Sequence, residues 1–441
     1  MTPDPNGSLR EIWQYGRLVP MPERVPPGWA FTKLTEVARL ESGHTPSRKR
    51  PEYWSGDIPW VSLHDSKVLD RPEIHQTAQT MGELGLANSS ARMLPAGTVV
   101  FSRTATVGKC TILGREMATS QDFANYVCGP SVHNRFLMHL MRFLQPEWNR
   151  LMAGSTHNTI YMPVFEGLQV LLPPNKEQRK IAAILCSLDE AIESTQAVIN
   201  QLGVVKKAMM AELLTRGLPG RHSKFKMTEI GEVPEEWDVV PLRECLREPT
   251  RNGYSPVCPA TPTGKWILHL GAVTFDGFNH QATKPAPLDD RKVDANVLEL
   301  GDLVVSRSNT RERVGLAGLY RGAPSPCSYP DLLMRVRPAA RLLPEFLESV
   351  LLSPRARSFF SSSARGTSES MVKINRDLLE SLPVQVPPKD EQLAMSDALT
   401  LLADRRGAEL IALAGMRGLR LALMSVLLTG EVRVKPDKEV A

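Results

Sequence analysis

The residue patterns that most often announce catalysis occur in this chain only as fragments. Gly108-Lys109 in TVGKC and Gly264-Lys265 in TGKW carry the glycine–lysine pair of a phosphate-cradling loop. Both lack the leading glycine and the Ser/Thr hydroxyl that would hold Mg²⁺. A loop that grips an amine for methyl transfer needs an amide or acid before a Pro-Pro pair and an aromatic after it. The pairs here read VPPG, LPPN and VPPK, with neither. The nine histidines have no metal-ligand spacing. Asp331 and Glu345 have no lysine placed to complete a nuclease set. Cys110, Cys128, Cys186, Cys245, Cys258 and Cys327 include no C-x-x-C pair, which argues against a thiolate zinc site or a disulfide framework and fits a reducing cytoplasm. The expectation is a chain with no catalytic centre, no metal and no cofactor of its own.

Bulk properties bound the rest. A length of 441 residues is enough for two or three domains. No run approaches 18 consecutive apolar residues, so no membrane span is expected. The start, MTPDPNGSLREIW, lacks the basic segment and apolar stretch of a secretory signal. A net charge of +5 permits nucleic acid as a partner without demanding it. The 35 prolines punctuate the chain into many short elements.

What organises those elements is an internal repeat. VPPGW, with Trp29, returns as VPEEW, with Trp237, an offset of 208. GTVVFSR, ending at Arg103, returns as GDLVVSR, ending at Arg307, an offset of 204. GST at Gly154 matches GTS at Gly366, an offset of 212. LLPPNKEQ and QVPPKDEQ, then LLT at Leu213 and at Leu427, both sit 214 apart. The front of each half changes its spacing and the back does not. Loops tolerate insertions and a rigid spacer does not, so each half reads as a variable globular part followed by a helix of fixed length.

The first helix is expected to open at Asn175 as N-cap, with Gln178 three residues on, and to stop at Gly217 and Pro219. Ile181, Leu185, Leu188, Ile192, Thr195, Ile199 and Leu202 recur in steps of four and three, a heptad seam. Such a helix is roughly 55–60 Å long. The second copy carries Met395, Leu399, Leu402, Leu413, Met416, Leu423 and Leu427 at matching phase. Arg406 and Glu409 interrupt it, either as a polar register device or because the seam shifts onto Ala403 and Leu410; the shifted seam is the simpler reading. Helices this long cannot bury one stripe inside a small domain, so the two are expected to pair as an antiparallel coiled coil.

The fold expected is α+β with a pseudo-two-fold repeat. Its parts are an arm over 1–27, a first domain over 28–174, a helix over 175–217, a linker over 218–236, a second domain over 237–388, a helix over 389–428 and a tail over 429–441; the stretch Arg216–Lys226 is expected to be basic and exposed. Strands are expected at Thr98–Ser102, Gln169–Leu172, Leu303–Ser306 and Leu332–Val336, and short helices at Phe136–Phe143 and Pro344–Leu352.

The run LLPPNKEQRKIAAILCSLDEAIESTQAVINQLGVVKKAMMAELLTRGL closely resembles the spacer region of type I restriction–modification specificity subunits. KMTEIGEVPEEWDVVPL resembles the family's entry to its second half. SGHTPSRKRPEYWSGDIPWVSL, QDFANYVC and GSTHNTI resemble its target-recognition domain, and the second globule keeps GDLVVSR, PDLLMRV and a GTS loop. The resemblance implies two α/β target-recognition domains, each reading one half of a split, asymmetric double-stranded DNA target. It also implies docking of two DNA adenine methyltransferase subunits that bind S-adenosylmethionine, and of a motor-nuclease subunit that uses ATP and Mg²⁺. The helix surfaces around Gln178, Arg179 and Gln392 would be the docking faces, on resemblance alone. The reading from another class is a non-catalytic adaptor whose paired domains bind protein.

For DNA contact the residues singled out are those at matching strand ends and in polar loops. Arg103 with Thr104, and Arg307, leave their strands where a guanidinium can reach a phosphate or a guanine edge; a surface salt bridge is the alternative. Arg48, Lys49 and Arg50 make either a phosphate clamp or a solvated loop. Lys109, the loop Thr156-His157-Asn158, the stretch Asn309-Thr310-Arg311 with Arg313, and Thr367-Ser368 with Lys373 complete the set. Trp54 and Trp60 read as packing rather than base stacking.

Overall fold

A computed structural model of the chain describes residues 25–152, 158–366 and 371–435. They fall into two compact units, Met1–Gln196 with Ala412–Ala441, and Ala197–Ile411. The units divide the chain differently from the expected domains, because each long helix contributes one segment to each unit.

The first unit is built on a sheet of five strands in the order Ala38–Ser42, Phe123–Cys128, Val99–Ser102, Cys110–Leu113, Glu73–Ile74, antiparallel except for the last pair. All four residues of Val99–Ser102 are buried. Successive side chains of a strand leave on opposite faces, and here both faces are covered. Val99 and Phe101 join Phe136, Leu137 and Leu140 of the helix Asn134–Phe143, while Val100 joins Val61, Leu113 and Phe123. A second sheet places Ile58–Val61 between Thr80–Met81, antiparallel, and Ala118–Thr119, parallel.

The second unit repeats this plan. Its main sheet runs Arg251–Asn252, Leu333–Val336, Leu303–Ser306, Ala317–Leu319, all antiparallel. Leu303 and Val305 face the helix Pro344–Leu352, and Val304 packs with Leu268 and Tyr320. Its smaller sheet sets Trp266–Leu268 between an antiparallel strand, Thr283–Pro285, and a parallel one, Cys327–Ser328. In both units an antiparallel pair closes the domain just before the long helix: Ala30–Lys33 with Gln169–Leu172, and Asp238–Pro241 with Pro383–Val386.

The long helices run Asn175–Arg216 and Lys389–Leu427. In the first unit Ile181, Ala182 and Leu185 share a core with Met424, Leu427 and Leu428. Asp189 accepts from Arg420 Nε at 2.5 Å and Gln196 from Arg417 at 3.3 Å, so the helices are antiparallel there. In the second unit Met210, Leu213 and Leu214 share a core with Met395 and Leu399. Ile199 and Leu413 are buried, and Leu188, Ile192, Leu202, Leu402 and Leu423 are half-buried. The seam does not shift. Leu410 is exposed, whereas Arg406 and Glu409 are half-buried in phase with Leu402 and Leu413. Polar residues hold the position because Arg406 reaches Asp276 at 2.6 Å and Glu409 pairs with Arg405 at 2.6 Å.

The helix starts also differ from the sequence expectation. Asn175 is not the N-cap: it lies inside the first turn, its amide donates to the Pro130 carbonyl at 3.0 Å, and the Pro174 carbonyl takes the first helical N–H groups. Gln178 and Gln392 are buried, so of the helix surfaces expected to dock partners only neighbours such as Arg179, Lys389 and Asp390 are exposed. Gln178 accepts from His133 N at 2.8 Å and donates to the carbonyls of Ser131 and Pro173, while Gln392 accepts from Leu343 N at 2.8 Å and donates to those of Arg341 and Pro387.

One residue earlier stands the matching pair of buried carboxylates. Glu177 accepts from Trp29 Nε1 at 3.1 Å and from Arg433 Nε and Nη2 at 2.8 Å each. Glu391 accepts from Trp237 Nε1 at 3.1 Å, His222 Nε2 at 2.8 Å and Leu218 N at 3.1 Å. The repeated tryptophans, each in a tight turn whose N–H returns to Pro26 or Pro234 at 3.0 Å, are therefore donors to the opposite end of the domain. The stretch after Arg216 is not a free linker: Arg221 and His222 bind Asp390 and Glu391, and the chain then forms the hairpin Phe225–Thr228 with Gly231–Pro234.

Candidate nucleic-acid interface

Each main sheet ends in the same backbone knot. After Val99–Ser102 the chain leaves the sheet at Arg103, whose N–H donates to the Asp122 carbonyl and whose carbonyl accepts from Ile160 N, both at 2.9 Å. Thr104 then bridges Thr159. After Leu303–Ser306, Arg307 N donates to the Leu332 carbonyl and the Arg307 carbonyl accepts from Ile374 N, again at 2.9 Å. Ser308 pairs with Lys373 and Asn309 with Val372. The structure therefore brings Arg103 with Thr104, and Arg307 with Asn309 and Lys373, into corresponding settings 204 positions apart on one strand and 214 on the other.

The side chains around the two knots differ. Arg103 is half-buried and turns inward, donating to the carbonyls of Ile160 at 3.3 Å and Gln121 at 2.5 Å. Burial lowers its guanidinium pKa, with Asp122 and Tyr161 acting against the shift. Arg103 thus ties the knot together rather than projecting from it. Gln121, the first residue of QDFANYVC, also accepts from Thr45 Oγ1 at 2.5 Å and so links the knot to the loop carrying Arg48, Lys49 and Arg50. Arg48 lies 3.7 Å over the Trp54 ring and donates to Gln79 at 2.8 Å; Arg50 pairs with Glu52 at 3.4 Å; all three cations are exposed. Trp54 meets Trp60 edge to face at 4.9 Å, and Trp60 is buried. Asn158 is exposed in the left-handed region, its carbonyl accepting from Ala105 N. Lys109 is committed elsewhere: its ammonium binds Asp70 at 2.6 Å and the Ser66 carbonyl at 2.8 Å.

In the second unit Arg307 donates to the Asp331 carbonyl at 3.4 Å. Arg311 donates to Ser361 O at 2.9 Å, which fastens the turn after Thr310 to the helix Pro354–Ser363. Thr310, Arg313, Arg365 and Lys373 are exposed, and Lys373 is bridged to Arg365 through the backbone. Thr156, His157, Thr367 and Ser368 lie outside the described residues. Both knots thus stand beside exposed cations, Arg48, Lys49 and Arg50 at the first and Arg313, Arg365 and Lys373 at the second. What such a surface can do is bind a polyanion through its arginines and lysine, and discriminate among hydrogen-bonding partners through Thr, Asn and Gln.

The chain is similar in sequence and in fold to specificity subunits of type I restriction–modification systems. Residues 26–203 match the model of the type I restriction modification DNA specificity domain. The chain is 29% identical over 430 residues to the type I restriction enzyme MjaVIII specificity subunit of Methanocaldococcus jannaschii, covering 93% of this chain and 95% of that one. It is 25% identical over 228 residues to the MjaIX specificity subunit of the same organism, about half of each protein. It is 23% identical over 392 residues to the EcoKI specificity subunit of Escherichia coli, covering 84% and 81%. Among solved structures, the type I restriction–modification S subunit from M. genitalium superposes with a TM-score of 0.56 over 90% of this chain and 96% of that one, at 12% identity. A chain from a type I R-M system solved for its assembly and conformational transition superposes with a TM-score of 0.55, covering 93% and 100%, at 18% identity.

Proposed function

The chain belongs to the family of type I restriction–modification specificity subunits, and from that premise we propose that it reads a bipartite, asymmetric DNA target with one unit per half. The observation that carries this reading is the repeated knot: one backbone arrangement, held by the same bonds in both units, surrounded by different side chains. The first presents Thr45, Thr104, Gln121 and Asn158 with the Arg48 loop. The second presents Asn309, Thr310, Arg313, Arg365 and Lys373. Two readers of one design with unlike surfaces give an asymmetric target.

Chemistry on the DNA then belongs to partner subunits: methyl transfer to adenine from S-adenosylmethionine on two modification subunits, and ATP- and Mg²⁺-dependent translocation and cleavage on restriction subunits. The long helices offer these partners a surface. Leu401, Ile411, Leu419 and Leu421 are exposed on Lys389–Leu427. That helix is long and apolar enough to cross a membrane by length and composition, with 17% of its most apolar stretch buried. Exposed apolar area of this kind marks a protein or membrane contact. We infer that modification subunits dock on this exposed apolar area.

Mapping methylated adenines in cells carrying the complete gene set tests the whole reading. Thr104→Ala should relax one half of the target and Asn309→Ala the other, each by about 1–3 kcal/mol of discrimination where a base contact is lost. Ile411→Glu should abolish methylation everywhere while the chain stays folded. Relaxation of the same half by both reader variants would overturn the two-reader assignment, and undiminished methylation by Ile411→Glu would overturn the docking face.

A further inference from the structure

The second unit contains a half-buried positive charge with no carboxylate set against it among the described residues. Arg357, on the helix Pro354–Ser363, donates through Nη2 to the main-chain carbonyl of Glu312 at 2.8 Å. Its Nε and Nη1 are buried and have no hydrogen-bond partner among the described residues. Among the described residues no carboxylate offsets the charge: burial lowers the guanidinium to about 10, so it remains protonated at neutral pH. A partly desolvated charge without a counter-charge costs stability, and a fold built for stability alone would replace it.

The first unit shows the replacement. Trp148 and Phe360 are the buried aromatics of corresponding helices, 212 positions apart. At the same offset, Gln145 stands where Arg357 stands. Gln145 Nε2 donates to the Val107 carbonyl at 3.3 Å, as Arg357 Nη2 does to that of Glu312, and also to Asn149 Oδ1 at 2.9 Å. A neutral amide is therefore enough to hold the turn to the helix. The guanidinium adds a charge that the fold does not use.

That charge lies beneath the turn that presents Thr310 and Arg313, both exposed, and Arg311 ties the same turn to the same helix. We propose that Arg357 is the electrostatic anchor for a DNA backbone phosphate at the Thr310–Arg313 turn of the second unit, an anchor that the first unit lacks. This rests on the DNA-reading assignment above and adds to it one charged backbone contact at the second turn that the corresponding first turn, held by Gln145, does not have. A phosphate seated against the turn is attracted by the guanidinium charge beneath it, and the low polarity around the guanidinium strengthens that attraction.

The test is duplex binding by the full-length chain as a function of salt, with a fluorescent duplex of mixed sequence as the probe, because a phosphate contact is blind to sequence. Arg357→Gln installs the residue of the first unit. It should leave the unfolding midpoint unchanged or higher, weaken duplex affinity several-fold, and lower the slope of log K against log salt by about 0.9, the equivalent of one phosphate. Arg357→Lys, which keeps the charge, should retain the wild-type slope. If R357Q binds with unchanged affinity and slope while the wild-type chain shows salt-dependent binding, the anchor is refuted and the DNA reading stands. If R357Q fails to fold, Arg357 is structural and the anchor is refuted as well. A wild-type chain that binds no duplex at low salt overturns the DNA reading itself.

Discussion

The two buried glutamates at the helix starts are chemically alike and should respond unequally to the same substitution. Glu391 has both oxygens engaged as acceptors, Oε1 from Leu218 N and His222 Nε2, Oε2 from Trp237 Nε1. Glutamine at that position must turn its NH₂ toward one of these donors, whichever way the amide is placed. The carboxylate is fully buried and the His222 side chain is 3% exposed, so neither orphaned group can turn to water. Losing a charge-assisted partner in such a site costs about 3 kcal/mol. Glu177 meets the same donor geometry, but its main cation, Arg433, is 39% exposed and can be solvated. Discounted for that exposure, Glu177→Gln should cost about 1–2 kcal/mol. Denaturant unfolding gives the totals, and amide hydrogen exchange gives the location. E391Q should raise exchange in the second unit, around 237–245 and 383–399, and E177Q in the first, around 29–40 and 165–185. Equal losses, a loss under about 0.5 kcal/mol for E391Q, or exchange rising alike in both units would refute the reasoning.

Three further outcomes follow from the same geometry. Burial pulls the Glu177 pKa upward, but its bonds to Arg433 and Trp29 outweigh this and hold it below the ordinary value; the stability it adds is present above the unfolded carboxylate pKa and lost as pH falls through the folded one, and Arg433→Ala should remove that acid-sensitive component from a pH series of unfolding curves. His139 is fully buried and pushed down to about 3 by burial, then by Arg142, Arg420 and Arg135; a group held neutral in the fold costs stability as pH drops below its unfolded value of about 6.5, so His139→Gln should flatten the decline between that pH and 3, and an unchanged profile would contradict it. A fragment ending near residue 226 holds one helix start and the segment that closes the other, so two copies can supply Arg221 and His222 to each other's Glu177 while burying Ile181, Leu185 and Ile199, each worth about 1.5–3 kcal/mol; sedimentation should find a dimer that weakens when the fragment stops at Leu218, and a monomer at both lengths would contradict the exchange.

The sequence by itself determined the repeat, the helix spans and the strands that carry the knots. Offsets, heptad steps and apolar runs are local regularities, and burial acts on them directly: Val99–Ser102 and Leu303–Ser306 each open with three apolar residues in a row and are buried throughout because both sheet faces are covered. The roles of individual polar residues were decided by tertiary structure. Asn175 and Gln178 have the types and spacing of a helix cap, yet each finds a better partner in carbonyls and N–H groups that the preceding loop brings alongside. Arg103 and Arg307 are equivalent in the repeat, yet Arg103 turns inward to two carbonyls and its pKa is lowered by burial. Arg406 and Glu409 keep the seam in phase because Asp276 and Arg405 meet them, the first from another part of the chain. A polar side chain is satisfied by whatever donor or acceptor lies within about 3 Å of it, and for most of these residues that neighbour lies tens to hundreds of positions away in the chain. Composition and periodicity fix which residues go inside; only the folded chain decides which of the polar ones remain free to meet DNA.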